Sequence, residues 1–365
     1  MTMRRSVAAR YGLSRLLVVL ALLCVVLPGA RACAICAPSD AQNTLLARLA
    51  VADAVVLARA TSPGVFFEAL EVVKGAAPVD RIQVGQWMPG PAPLPGAPVV
   101  LLYNAAAKQW SGWGNLPLAR SGWLKRLVAL SSRPTADWTE RLALFLPDLE
   151  AAEPLVSQVA YDEIAVAPYS VMRLAKSRLR PEQLWRWLRD PALVARRPLY
   201  TLLLGISGSA EHARAFDSIL DAAGVAPTVP VLSATLAALI EIRGDVAVQQ
   251  IESAYFAIAQ RSEVEVQAAV LALAVHGNDG VRVARERVVT AFGLLVRRQP
   301  ALAGFVASDL AAWGRWELGT DYAAILKSGQ PLVFASRYAM VFFLLRSPRP
   351  QDRKAVQELR AARVL

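Results

Sequence analysis

The chain has 365 residues, 55% hydrophobic and 19% charged, with a formal net charge of +11 from 40 Lys+Arg against 29 Asp+Glu. That composition is too apolar for a disordered chain, and three cysteines are too few for a disulfide-stapled scaffold, so the fold must rest on a hydrophobic core. No block of five or six like charges occurs, which argues against a nucleic-acid partner.

Residues 1–32 read as an export signal. Arg4, Arg5, Arg10 and Arg15 give a positive start, an apolar run follows from Leu16 to Leu27, and Pro28-Gly29 leads into the small-x-small site Ala30-Arg31-Ala32. The apolar run is about a dozen residues, short of the roughly 20 that span a bilayer. Cleavage after Ala32 leaves 333 residues, enough for about two domains. It also removes five arginines and no acid, so the formal charge falls from +11 to +6. The expected location is therefore exported, periplasmic or secreted. A lipoprotein signal is the rival reading, since Cys33 directly follows the site, although Arg31 fits that pattern poorly.

Cys24 lies within the signal, which leaves Cys33 and Cys36. This Cys-x-x-Cys pair is open to four readings: a small disulfide pinning the N-terminus, a lipid anchor at Cys33, metal binding, or redox exchange. Redox use expects a helix N-terminus within a βαβ pattern, and haem attachment needs a histidine where Ala37 stands. Zinc would need two more ligands, and the histidines, His212 and His276, lie far along the chain. No metal and no cofactor are expected, and a membrane partner only if Cys33 is lipidated.

Ser39-Asp40 is placed to cap a short helix through about Leu49. Strands follow at Ala54–Arg59, Val65–Val73, Arg81–Val84 and Val99–Tyr103, all rich in β-branched and aromatic residues, with a turn at Ser62-Pro63-Gly64. Five prolines from Pro89 to Pro98 make the intervening stretch a surface loop. Short antiparallel strands of this number suit a small closed barrel of the oligonucleotide/oligosaccharide-binding (OB) type. Trp87, Trp110, Trp113 and Trp123 gather in this half. They are either a stacking platform for a small molecule or glycan, or ordinary packing.

The order Cys33, Cys36, Pro38, short helix, Ala52-Asp53-Ala54-Val55-Val56, aromatic strand, then Val72-Val73-Lys74-Gly75 resembles the N-terminal domain of tissue inhibitors of metalloproteinases, and more broadly netrin-like modules. The resemblance covers Cys33 to Tyr103. It implies the OB-like barrel and a metalloprotease-inhibitor-like activity, in which the N-terminal cysteine chelates the protease zinc. The family's Cys-x-Cys pair is bonded to distant cysteines; this chain has Cys-x-x-Cys and no later cysteine.

After Trp123 the apolar period changes from 2 to 3.6. Asp137 is placed to cap a helix through Leu146, and Pro154, Pro168, Pro181, Pro198 and Pro331 stand where new helices are expected to open. Apolar stretches ending at Gly208, Gly244 and Gly277 align with spacings of 36 and 33 residues, with a weaker copy at Gly314, and each glycine is expected to end a helix. The pattern is similar to HEAT-type helical hairpins, which bury their apolar faces by stacking. The fold class is thus α+β: a netrin-like barrel over 33–130, then an all-α HEAT-like solenoid over 131–365.

Gly205-Ile206-Ser207-Gly208-Ser209 lacks the last glycine of a nucleophile elbow and reads as an inter-helix turn; His276 reads as a polar turn residue. Tyr161-Asp162-Glu163 with Tyr169 resembles the stretch that links barrel to repeats in exported HEAT-like bacterial proteins, and is a candidate interaction surface or helix packing. With no convergent nucleophile, base and metal set, no enzyme is expected. The expected function is non-catalytic protein binding in the cell envelope, with an unidentified protein partner.

Overall fold

The computed structural model describes residues 35, 44–61, 66–76, 81–88, 93–133, 137–221, 228–258, 261–279 and 281–362. Residues 1–32, expected to be an export signal, and Cys33, Cys36, Ser39 and Asp40 lie outside them. All described elements belong to one compact unit, Ala32–Leu365.

A short helix α1 (Leu45–Val51) comes first, capped by Thr44, whose hydroxyl accepts from Ala47 N at 3.3 Å. Five strands follow: β1 (Ala54–Ala60), β2 (Phe66–Lys74), β3 (Ile82–Trp87), β4 (Val99–Asn104) and β5 (Gln109–Asn115). Their pairings run round a closed circuit, β1-β2-β3-β5-β4 and back to β1. All contacts are antiparallel except β3 with β5, where Val84 faces Trp110 and Trp87 faces Gly112.

The side-chain period of 2 sorts β1 and β4 into two cores. Val56, Ala58, Val99 and Leu101 pack with Phe67 and Ile82 inside the circuit. Val55, Leu57, Val100 and Leu102 point the other way, onto helices. Burial on both faces is why these strands read as unbroken apolar runs. The strand β5 was not expected, because Trp, Ser and Gly alternate there without a β-branched residue. Gly112 explains the composition: a Cβ at this position would meet the Trp87 ring at 2.4 Å. The bare backbone lets that indole lie across the parallel pair.

The helical half comprises α2 (Ser121–Ser131), α3 (Trp138–Phe145), α4 (Pro154–Ala165), α5 (Tyr169–Leu174) and α6 (Pro181–Arg189). Then come α7 (Arg197–Ser207) with α8 (Ala210–Asp221), α9 (Val229–Arg243) with α10 (Asp245–Ile251), and α11 (Glu263–Asp279) with α12 (Arg285–Arg298). The last four are α13 (Ala307–Ala312), α14 (Gly319–Lys327), α15 (Phe334–Arg346) and α16 (Pro350–Ala361). Asp137 caps α3 through Thr139 N at 3.0 Å. Pro154 and Pro181 open α4 and α6, Pro168 immediately precedes α5, and Pro198 is the second residue of α7. Pro331 differs, standing three residues ahead of α15.

Helix α9 packs on both α7 and α11. Accordingly every residue from Leu232 to Ile240 is buried, as expected for a helix apolar all round. Gly208 and Gly244 do end helices, Gly244 with φ +62°. Gly277 does not: it lies inside α11, where a Cβ would meet the Trp313 ring at 2.4 Å. It is a packing glycine, and the sequence alignment mistook close approach for a turn. The helical core is continuous with the residues beneath β1 and β4.

Candidate functional site

The four tryptophans do not form one platform. Trp123 is buried under the strands in α2, Trp113 packs half-buried against the same helical core, and Trp110 packs half-buried at the edge of the inner strand core. A bulge between Val100 and Leu101 separates the Trp110 and Trp113 positions on β5. Trp87 alone is exposed, tilted against Phe67 with ring centroids 5.9 Å apart. Together with Pro93, Leu94, Pro95 and Val99 these two rings line an apolar pocket of about 650 Å³.

The expected surface at Tyr161, Asp162, Glu163 and Tyr169 is largely interior. Glu163 is fully buried: Oε1 accepts from Leu46 N at the start of α1 (3.1 Å), and Oε2 accepts from Arg141 Nη2 on α3 (2.5 Å). This carboxylate ties the helix before the strands to two helices after them. Tyr169 is also buried, its hydroxyl donating to Glu241 Oε2 at 3.0 Å. Tyr161 lies under the Arg196 guanidinium, 5.2 Å from its ring centroid. Asp162 is partly buried and accepts from Gln158 Nε2 at 2.8 Å. Burial lifts its carboxyl to about 6, with Glu163 adding to the rise; the Gln158 bond and Arg196 oppose it.

His276 is a buried helix residue of α11, not a turn residue. Its Nε2 donates to Ala237 O at 2.9 Å, and its ring meets Tyr169 edge-on. Glu241 Oε2 lies 4.0 Å from Nδ1 but already accepts from Tyr169 and from Arg173 at 3.0 Å. Desolvation therefore prevails and lowers the imidazole to about 4, which leaves it neutral.

Ser209 and His212 are brought together, with Oγ and Nδ1 3.2 Å apart. The Ser209 backbone N–H also donates to Nδ1 at 3.2 Å. Both contacts sit at the first turn of α8, so the histidine serves as a helix cap in the manner of a capping-box acid. Among the described residues no three His, Cys, Asp or Glu side chains are grouped to hold a metal ion. Nor is any described helix long and apolar enough to cross a membrane.

One concavity among the described residues was not legible in the sequence. A groove of about 720 Å³ runs among α8, α9, α10 and the start of α11. Leu232, Leu236, Leu239 and Ile251 form its buried floor, while Asp217, Gln250, Arg261 and Glu265 stand on its rim. The rim is held in place by charge-assisted bonds. Arg243 on α9 binds both oxygens of Asp217 on α8, one at 2.8 Å. Ser262 and Glu265 form a capping box at the start of α11: Ser262 N donates to Glu265 Oε2 at 3.0 Å, and Glu265 N to Ser262 Oγ at 3.3 Å. Partial burial pushes the Glu265 carboxyl up, but the Ser262 bonds and Arg261 outweigh it and hold it below the usual carboxylate range.

One wall of the groove is a π-helical turn, Glu252–Phe256. Such turns widen the backbone and leave carbonyls without partners, a feature common at functional sites. Gln299 Nε2 reaches the carbonyls of Tyr255 (2.7 Å), Phe256 (3.0 Å) and Ile258 (3.1 Å) and so stabilises the distorted end. Arg261 Nε donates to Ala254 O at 2.7 Å and its guanidinium lies 5.0 Å from the Tyr255 ring centroid.

Comparison of the chain with protein-family models, with curated proteins and with solved structures found no match.

Proposed function

We propose that this is a non-catalytic, exported protein-binding module, with an OB-like, netrin-like barrel in its first half and a HEAT-like solenoid in its second. The groove among α8, α9, α10 and α11 takes an apolar-anchored segment of a partner protein. One observation carries this reading: an apolar floor, built by successive helices and wide enough for several side chains, lies inside a rim of fixed polar groups. That is the form of a helix-in-groove or peptide-in-groove site, with anchors below and orienting charges at the edge. The connectivity of the strands, with β3 and β5 adjacent and parallel, supports the OB-like assignment. Stacking of α9 between α7 and α11 supports the HEAT-like one.

The test uses Val264, an exposed residue on the groove. Val264→Asp puts a charge over the apolar floor without touching the core. Proteins co-purifying with the parent from the cell envelope should be lost from the variant, while a more exposed control away from the groove, Val281→Asp, retains them. Equal recovery from both variants would refute the groove.

A second reading has its own observation, the apolar pocket beside Phe67 and Trp87. A hydrophobic small molecule filling it would shift the Trp87 fluorescence, and Trp87→Phe would remove the shift. A fluorescence change that survives in that variant would contradict a ligand at this end of the strands.

A further inference from the structure

Helix α15 has two apolar faces, and the fold uses only one. Ser336, Met340, Phe343 and Leu344 are buried against the core, and Ser336 Oγ accepts from Gly304 N at 2.8 Å, which fixes the rotation of the helix. On the opposite side Phe334 is 74% exposed, Phe342 59%, Tyr338 50% and Leu345 46%. With half-buried Val341 these residues recur at i, i+4, i+7, i+8 and i+11. At helical spacing they cover an arc of about 100° and a length of roughly 17 Å. The exposed Arg337 and Arg346 flank the arc on either side. Phe334 and Tyr338 touch, with centroids 4.6 Å apart, so the stripe is continuous at that end.

Charge is concentrated in the same region. Residues 334–365 carry seven Lys and Arg against two acids, a net +5, whereas residues 33–333 carry 28 against 27, a net +1. Outside residues 1–32, nearly all of the protein's excess positive charge is therefore in residues 334–365. An aromatic and aliphatic stripe bordered by arginine, within a locally cationic end, matches the lipid-facing side of an interfacial helix. A second copy of the chain fits less well, because two-fold packing of this face would bring two ends of net +5 together.

We propose that the outer face of α15 docks onto an anionic phospholipid surface, with Phe334, Tyr338, Phe342 and Leu345 entering the interface and the basic C-terminal region binding headgroup phosphates. This contact does not depend on lipidation of Cys33 or on the helical groove, and failure of either leaves it standing.

The test is flotation of the full chain with vesicles of equal parts phosphatidylcholine and phosphatidylglycerol, against phosphatidylcholine alone. The parent should bind the anionic vesicles at least tenfold more strongly, with binding weakened by salt. The double variant Phe334→Ser/Phe342→Ser alters only exposed side chains and should keep the parent's melting temperature, yet bind at least tenfold more weakly. Arg346→Glu should weaken binding to the anionic vesicles alone. Equal binding by parent and double variant would overturn the proposal and assign the affinity elsewhere in the chain. So would a parent that is dimeric by sedimentation, becomes monomeric in the double variant and binds no vesicles, since that identifies the face as a seam between copies.

Discussion

Two titratable residues, the partly buried Asp162 and the fully buried His276, pull stability in opposite directions with pH. The Asp162 carboxyl is raised to about 6, so the folded protein holds this proton at a pH where the unfolded chain has released it. Its contribution is favourable in acid and falls away as pH rises through about 6. Asp162→Asn keeps an oxygen for Gln158 and removes the charge. It should stabilise the protein by about 1–2 kcal/mol at pH 7, allowing for partial exposure, and give little at pH 4. Denaturation midpoints at the two pH values check this; an equal gain at both would contradict it. His276 works the other way. Its imidazole is lowered to about 4, so its stabilising contribution is complete above the unfolded value near 6.5 and lost as pH falls towards 4. His276→Phe should cost about 1–2 kcal/mol at pH 7, through the lost bond to Ala237 O, and should flatten the acid limb of the stability curve. An acid limb as steep as the parent's would show that another group is responsible.

Elements are held by contacts that sequence spacing does not reveal. Glu163 lies 117 residues from Leu46, whose backbone N–H it accepts, and its role at the start of α1 has no local sign. With Tyr161 and Asp162 it read as either an interaction surface or helix packing; long-range packing makes it the ion partner of Arg141. Glu163→Ala should destabilise by about 3–5 kcal/mol, because Arg141 then remains partly buried without its partner. Hydrogen exchange should quicken first in α1, and unchanged protection there would contradict the cap. Strands β1, β2 and β4 were legible because β-branched residues crowd them, and α3, α4 and α6 because Asp or Pro marks their starts. The strand β5 was hidden because it lacks β-branched residues and its Gly112 accommodates a neighbouring indole. The groove was hidden for a different reason: Leu232, Leu236 and Leu239 of its floor belong to a helix buried all round, and only tertiary packing decides which of them face an opening.

At the scale of the molecule, strands and helices share a core. Val55, Leu57, Val100 and Leu102 pack with Leu124, Leu127, Phe145 and Val156 in the same cluster that continues through the helical array. A fragment of residues 33–130 keeps Leu124 and Leu127 but loses Phe145, Val156 and the helical core continuous with them, and should fail to fold alone, seen as the absence of a cooperative melting transition. A sharp transition in the isolated fragment would contradict the shared core. The change of period near Trp123 was legible in the sequence, but the burial of strand residues beneath helices 20 to 100 positions later was not. Proposed binding sites lie apart along the chain: the groove in α8 to α11, and the lipid-facing stripe in α15.

The most direct test of the binding function is a photo-crosslinking residue placed at Val264 on the groove and, separately, at Val281, which is exposed and outside the groove lining. The proposed function predicts one discrete crosslinked partner from Val264, none from Val281, and competition by excess unlabelled parent protein. The same products from both positions, or none from Val264, would contradict it.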